Sequence, residues 1–321
     1  MKLVGLFCGG YSSEFEISLK SAQTIMDNFP LGYEVVPIHV VEEGWFVPMN
    51  TEKLPFSIES MSYSINGKER KIDIGLIYIH GNPGENGKIQ ALLDIKGVPY
   101  VNSNALASEL SFDKWYCNQF LARFGVPVAK SLFLNSPKKF TNQEILDQLG
   151  LPCFVKPCDS GSSFGISKVS KASDLQVALD KAFEEGDTIV IESFLKGTEV
   201  TCGIYRSTSG LVTLPLTEIV TENDFFDYEA KYLGQSQEIT PARIPDSIKE
   251  LVWEQSKQVY SLLQLKSIAR IDFMLVDDIP YVIEVNTTPG FSAASLVPQM
   301  LAEAGISIID FWTEIFEVEL K

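Results

Sequence analysis

Residues 270–286 read Arg-Ile-Asp-Phe-Met-Leu-Val-Asp-Asp-Ile-Pro-Tyr-Val-Ile-Glu-Val-Asn. Two runs that alternate every second residue flank an Asp-Asp-Ile-Pro stretch, the pattern of a β-hairpin with one buried and one polar face. A turn centred on Asp278 sets Asp272 opposite Glu284 and Arg270 opposite Asn286. Ile271, Phe273 and Leu275 then share the apolar face with Tyr281, Ile283 and Val285. Carboxylates placed directly across a ladder repel, so a pair on a sheltered face calls for a cation between them. A hard divalent ion, most simply Mg²⁺, suits Asp272, Glu284 and the Asn286 amide. A solvated sheet face whose charges mean nothing is the plainer alternative. Four polar groups in register, followed by Thr287-Thr288-Pro289-Gly290, weigh against it.

A chain of 321 residues with 45% apolar composition has room for two or three domains with their own cores. Its formal charge of −16 argues against nucleic acid or an acidic membrane as partner, since phosphate-rich surfaces need clustered Lys and Arg. An anionic ligand must instead be held by a few lysines in a pocket. Cys8, Cys117, Cys153, Cys158 and Cys202 lack Cys-x-x-Cys spacing, and with only His39 and His80 beside them they speak against a structural zinc site. Reduced thiols in a cytoplasmic protein are the economical reading. The apolar run at residues 2–10 is too short for a signal peptide, and no stretch approaches membrane-spanning length.

Strand–turn–helix units open the chain: a strand over 3–8, a Gly9-Gly10 turn, and a helix near 14–28 with Ser13 and Glu16 spaced as a capping box. A second unit follows with a strand over 72–79, a Gly-rich turn over 80–87 and a helix over 88–96. The alternation predicts a parallel sheet with ligand-facing loops at the strands' carboxyl ends. Gly9-Gly10 is not Gly-x-Gly-x-x-Gly, so a dinucleotide fingerprint is missing. A helix over 112–124 marks a boundary, followed by an α+β module: strands over 131–134, 153–156, 166–169 and 188–192, helices over 142–149 and 174–184. The remainder holds strands over 199–205 and 211–219, a long polar loop over 221–240, a helix near 246–263, the hairpin and a helical tail. The chain thus divides into 1–110, an α/β unit, and two α+β units, 111–197 and 198–321.

In residues 153–165 a strand ends in Lys156 and enters the Ser/Gly loop Asp159-Ser160-Gly161-Ser162-Ser163. Such a loop can wrap phosphate oxygens with backbone N–H groups while Lys156 adds charge, or it can be an ordinary hairpin. Lys114 falls in the first turn of its helix, unfavourable by about 0.3–1 kcal/mol unless an anion sits nearby; a solvated lysine tolerates that cost. The run from Glu192 through Leu195 to Glu199 could seat an adenine edge and ribose hydroxyls, or merely connect strands. Phe225, Phe226, Tyr228 and Tyr232 interleave with Lys231 in the long loop, which favours a lid ordering over a ligand. Glu14 either caps its helix or points an acid at a ligand ammonium.

These segments together resemble the D-alanine:D-alanine ligases of the ATP-grasp superfamily. The resemblance rests on seven stretches in order: Gly9 to Ser18, His80-Gly81 with Gly84-Glu85, Val155-Lys156-Pro157, Gly161 to Gly165, Tyr228-Glu229-Ala230-Lys231-Tyr232, Arg270-Ile271-Asp272, and Glu284 to Gly290. It implies a three-domain ATP-grasp fold whose two α+β domains clasp ATP, and a homodimer. It further implies that Lys114, Lys156 and Lys231 hold ATP phosphates, with Glu192, Leu195 and Glu199 around adenine and ribose. Asp272, Glu284 and Asn286 would ligate two Mg²⁺, or Mn²⁺ in their place. Glu14 would receive the first D-alanine's ammonium with His80 near its carboxylate, Ser295 and Leu296 would hold the second D-alanine, and Ser162 and Tyr232 would link the lid to Glu14. Arg270 and the Gly290 N–H would stabilise the oxyanion formed when the second amine attacks an acyl phosphate.

Asn86, Ser193 and Ala294 stand where family members often carry Asp, Lys and His. The Ala294 departure removes a polar neighbour of the second-substrate pocket and leaves D-lactate or another acceptor as a rival, although the intact Tyr-Glu-Ala-Lys-Tyr lid resembles the dipeptide makers. A nucleotide-binding regulatory protein without turnover is the rival of a different class. Retention of Arg270, whose implied role is in the transition state, speaks against it.

Overall fold

Residues 3–10 are buried without interruption, so the first strand must be covered on both faces and flanked on both edges. The computed structural model, which describes residues 1–159, 161, 164–221 and 236–321, places it inside a sheet of β1 (Lys2–Gly9), β2 (Tyr33–Val40), β3 (Phe46–Met49), β4 (Glu52–Ser57), β5 (Ser62–Ile65), β6 (Lys68–Lys71), β7 (Ile74–Ile77) and β8 (Tyr100–Val101). Their order is β6-β5-β4-β3-β2-β1-β7-β8. The stretch β2-β1-β7-β8 is parallel, as the strand–helix alternation predicts, with α1 (Phe15–Asp27) and α2 (Lys88–Lys96) following β1 and β7. Strands β3 to β6 extend it as an antiparallel meander over a stretch for which the sequence reading made no assignment.

The expected capping box at α1 does not form. Helix α1 starts at Phe15 with Glu14 as the flanking residue, and its side chain makes no cap hydrogen bond. Ser12 acts instead: its Oγ accepts the Glu14 N–H at 3.3 Å and donates to the His80 carbonyl at 2.8 Å, tying the loop after β1 to the loop after β7.

The helix expected over 112–124 is two helices, α3 (Ala105–Phe112) and α4 (Lys114–Arg123). The chain turns out of helical geometry at Asp113, whose carboxylate accepts the Tyr116 N–H at 2.9 Å. An acid that caps the following turn ends the preceding one. Next comes a four-stranded antiparallel sheet of β9 (Ser131–Leu134), β10 (Cys153–Pro157), β11 (Ser167–Val169) and β12 (Ile189–Ser193), with α5 (Asn142–Leu149) and α6 (Leu175–Glu185). The sequence-predicted spans of this module fall within two residues of these bounds.

The third sheet comprises β13 (Thr198–Ser207), β14 (Gly210–Thr213), β15 (Thr217–Thr221), β16 (Ser236–Ile239), β17 (Ile268–Val276) and β18 (Ile279–Asn286), with α7 (Asp246–Leu262), α8 (Leu296–Glu303) and α9 (Ile308–Glu319). The single strand expected over 211–219 is thus β14 and part of β15, and β16 occupies part of the expected polar loop. In β17–β18, Arg270 pairs with Asn286 and Asp272 with Glu284, as the alternation predicts. The turn itself is tighter: Val276 pairs with Ile279 across Asp277-Asp278, both at positive φ. A bulge between Asp272 and Phe273 absorbs the difference, leaving Ile283 as the extra residue on β18. Val282, only 1% exposed, therefore takes the core position opposite Phe273, and Tyr281 and Ile283 are half-buried rather than core.

One core joins β1 and β7 to Phe291, Phe311, Trp312 and Phe316. A second packs α3, α4 and α7 on β13, β17 and β18, while residues 134–191 enclose a core of their own. Among the described residues, no helix is long and apolar enough to cross a membrane. We keep 1–110, 111–197 and 198–321 as a proposed division of the chain.

Candidate active site

A cleft of about 340 Å³ opens where the carboxyl ends of β1 and β7, the first turns of α4, the polar end of β18 and the segment 288–296 meet. This is where an open α/β sheet places a ligand. The cleft is lined by the predicted Glu14, His80, Lys114, Arg270, Glu284, Asn286, Gly290, Ser295 and Leu296. Glu14 is 8% exposed, and the backbone at Gly161 lies so close that a Cβ there would stand 2.9 Å from its Oε2. His80 is buried, with Nδ1 3.0 Å from the Thr288 carbonyl and Nε2 3.4 Å from the Ser21 hydroxyl. A carbonyl only accepts, so Nδ1 carries the proton and Nε2 accepts from Ser21, whose oxygen takes the Phe291 N–H at 3.1 Å. Burial lowers the His80 pKa, with Glu14 and the Thr288 carbonyl partly opposing the shift. Neutral His80 thus holds the 288–291 segment against α1.

Arg270 grips Asp272 with Nε and Nη2, at 2.8 and 2.7 Å, and its Nη2 lies 3.7 Å from Glu284. The cation that facing carboxylates demand is therefore already supplied by Arg270. Thr201 and the Asn286 amide also donate to Asp272, so both carboxylate oxygens are engaged. Among the described residues no group of three His, Cys, Asp or Glu side chains forms a metal cluster. The donor chemistry nonetheless fits a hard ion: Glu284 and Asn286 line the cleft beside Asp272, all through oxygen-bearing groups. Two buried polar atoms in the same wall, Ser111 Oγ and Asn118 Oδ1, have no hydrogen-bond partner among the described residues, which suits a polar ligand.

A second cavity, of about 370 Å³, lies between the four-stranded and six-stranded sheets and is lined by Lys156, Glu192, Leu195, Glu199, Phe154 and Met274. Lys156 Nζ stands 2.6 Å from Glu192 Oε2, and Asn118 donates to Glu192 Oε1 at 3.0 Å. Because Asn118 also lines the first cleft, it joins the two spaces, and the bulge residue Ile283 lines both. Gly197 is required where the linker crosses β17, since a Cβ would collide with the Leu275 carbonyl. Lys114 is set by its own N–H, which donates to the Cys158 carbonyl at 2.9 Å and docks α4 on the end of β10. Ser162, Lys231 and Tyr232, with residues 222–235 of the loop expected over 221–240 and so all its lid aromatics, lie outside the described residues.

Two acids in the cleft received no role from the sequence. Glu85 accepts the Gly81 N–H at 2.8 Å, and burial, reinforced by Glu14, pushes its carboxyl up to about 8. Glu238 projects from β16, and burial raises its pKa too, against the opposing Gln299 amide and Arg270. Glu85 stands in a stretch that already pointed to the family, whereas Glu238 gave no local signal: only the sheet brings β16 to the cleft.

Residues 3–103 match the family described as D-ala D-ala ligase N-terminus and residues 120–317 the one described as D-ala D-ala ligase C-terminus. A D-alanine–D-alanine ligase of Phocaeicola vulgatus is 42% identical over 98% of both chains. A crystal structure of a D-Ala:D-Ser ligase from Enterococcus faecalis superposes with a TM-score of 0.88 at 26% identity, covering 99% of each chain. A Bacillus anthracis D-alanine–D-alanine ligase complexed with ATP gives a TM-score of 0.81 at 31% identity, over 100% of this chain and 98% of that one.

Proposed function

The chain belongs to the D-alanine–D-alanine ligase family, and from that membership we propose how its own residues carry the reaction. It is an ATP-dependent ligase that joins two D-alanine molecules into D-alanyl-D-alanine for peptidoglycan synthesis. The observation that carries the residue roles is the pair of adjoining cavities, bridged by Asn118, Glu192 and Lys156. One is bounded by Glu199 and Leu195, the other by Glu14 on one side and Ser295 and Leu296 on the other.

ATP lies with its base and ribose near Leu195, Glu192 and Glu199, and its phosphates reach toward Lys156, Lys114 and Lys231. The first D-alanine places its ammonium on Glu14 and its carboxylate near His80. That carboxylate takes the γ-phosphoryl group to give an acyl phosphate and ADP. The amine of the second D-alanine, held by Ser295 and Leu296, then attacks the acyl carbon and phosphate leaves. Arg270 and the Gly290 N–H stabilise the oxyanion between these states, a kind of donor whose removal costs about 3–4 kcal/mol. Asp272, Glu284 and the Asn286 amide oxygen would hold Mg²⁺ as a pair of ions, or Mn²⁺, whose charge neutralises the phosphate oxygens. Ser162 and Tyr232 join the lid to Glu14 and keep water from the acyl phosphate. A homodimer in the cytoplasm completes the proposal.

The test is phosphate release with Mg-ATP and D-alanine, run in parallel with D-lactate, D-serine or L-alanine as the second substrate, with products identified by mass. D-alanyl-D-alanine as the main product supports the reading. A different dominant product would move the acceptor preference, for which Ala294 is the residue to blame, and ATP binding without ligation would favour the regulatory alternative.

A further inference from the structure

Glu238 shares the cleft with Arg270, Gly290, Ser292 and Ser295, the wall to which the ligase reading gives the second substrate. It is fixed there rather than trailing from an edge strand. Gln299 on α8 donates from Nε2 to Glu238 Oε2 at 2.8 Å and to the Ala294 carbonyl at 2.9 Å, so one amide nitrogen pins both the acid and the 292–295 turn. Its backbone position is set by the ladder, where Glu238 pairs with the buried Ile219. Among the described residues Glu238 makes no ion pair, and Oε1 has no hydrogen-bond partner.

Pinning β16 to α8 needs an amide-to-oxygen hydrogen bond and nothing more; a glutamine at 238 would serve. A half-buried carboxylate instead carries a desolvation cost that only a cation or a proton offsets. The second substrate brings both, as an ammonium that must lose a proton before its nitrogen can attack. Ala294, too small to reach into the space, leaves that group to Glu238.

We propose that Glu238 is a specificity residue that touches the acceptor: its carboxylate holds the ammonium of the second D-amino acid and takes one of its protons. The N–H bond breaks and an O–H bond forms on Glu238. The nitrogen lone pair then attacks the acyl carbon, and the carbon–oxygen bond to phosphate breaks with its electrons leaving on phosphate. The second proton lost as the amide forms departs with phosphate, and Glu238 returns its own to solvent. A hydroxy acid offers no ammonium, so Glu238 favours amino-acid acceptors over hydroxy-acid ones. This inference rests on the ligase reading above.

Full-length Glu238→Gln should keep the Gln299 contact geometry while removing the charge. With Mg-ATP, initial rates against D-alanine resolve a donor and an acceptor saturation constant. The acceptor constant should rise about tenfold or more, while those for ATP and donor stay within about twofold. The preference for D-alanine over D-lactate as acceptor should fall in parallel. An unchanged acceptor constant, or an equal rise in all three constants, would overturn the proposal. Should E238Q fail to fold, as read by thermal melting, Gln299→Ala decides: unpinning Glu238 must weaken the acceptor constant selectively, and no selective change would equally overturn it. Wild-type enzyme that forms no D-alanyl-D-alanine would instead sink the ligase reading, a failure distinct from either.

Discussion

Arg270 serves two carboxylates at once, bidentate to Asp272 and 3.7 Å from Glu284, and lines the cleft at the ends of β1 and β7 rather than the cavity between the two antiparallel sheets. Removing it outright leaves a nearly buried Asp272 without its countercharge, a loss that costs about 3–5 kcal/mol in comparable buried pairs. Lysine keeps the charge but not the fork. Arg270→Lys should therefore stay folded, bind ATP with little change and ligate about a hundredfold more slowly; Arg270→Ala should lose as much rate and stability besides. Single-turnover phosphate release set beside ATP titration separates the two effects, and unchanged turnover would sink the assigned role. Glu85 makes a prediction of the opposite electrostatic kind. Its folded pKa of about 8 lies above the ordinary 4.5, so the native protein binds the proton more tightly than the unfolded chain does. The stability this contributes is complete below pH 4.5 and is lost as pH rises through about 8. Glu85→Gln keeps an acceptor for the Gly81 N–H and removes the titration. Melting temperatures of the ligand-free pair from pH 5 to 9 should therefore converge on different slopes, wild type falling relative to E85Q; parallel curves would contradict the burial argument.

Lys114 owes its place to the break between α3 and α4, because Asp113 caps one helix and ends the other. Asp113→Ala should cost about 1 kcal/mol and Asp113→Asn much less, since both acid and amide cap well. Urea unfolding of the two variants checks the energy, and the KM for ATP should rise in D113A alone if the cap also sets Lys114. The sequence reading ran one helix through this point because Phe112, Tyr116, Phe120 and Phe124 keep a four-residue spacing that periodicity alone cannot interrupt. Elsewhere local pattern sufficed. Helices α2 and α5 and strand β9 lie where the patterns put them, and the charged end of the hairpin pairs as alternation required. That last agreement hid two offsetting differences: a two-residue turn at Asp277-Asp278 and the extra residue Ile283. A bulge has no composition signature, so period two assigned Ile283 to the core and left Val282 out. The meander β3 to β6 had one strong local signal, Asn66-Gly67 with both residues at positive φ between β5 and β6, but its short, half-exposed strands carry little alternation.

Chain order and core membership part company at the level of the whole molecule. Motif order placed Glu14, His80, Arg270 and Ser295 in one active site, and the structure brings them to one cleft. What the linear reading could not show is that the last helices do not pack only with their sequence neighbours: Phe291, Phe311, Trp312 and Phe316 complete the core under β1 and β7, and the Tyr78 hydroxyl donates to the Pro289 carbonyl at 3.0 Å. The Glu14–His80 wall and the 288–296 wall of the cleft are thus mounted on one shared core. Strands β9 to β12, which carry Lys156 and Glu192, close around their own. Stability should divide along that line. Trp312→Ala, at a fully buried position, should cost about 3–5 kcal/mol, and Ile145→Ala about 2–5 kcal/mol within the smaller core. Hydrogen exchange read by mass spectrometry locates each loss. W312A should lower protection in β1 and β7 as well as in α9 while β10 and β12 keep theirs, and I145A should do the reverse. If W312A left β1 as protected as in the wild type, the shared core would be a contact without cooperativity, and the cleft walls would have to be treated as independently stable parts.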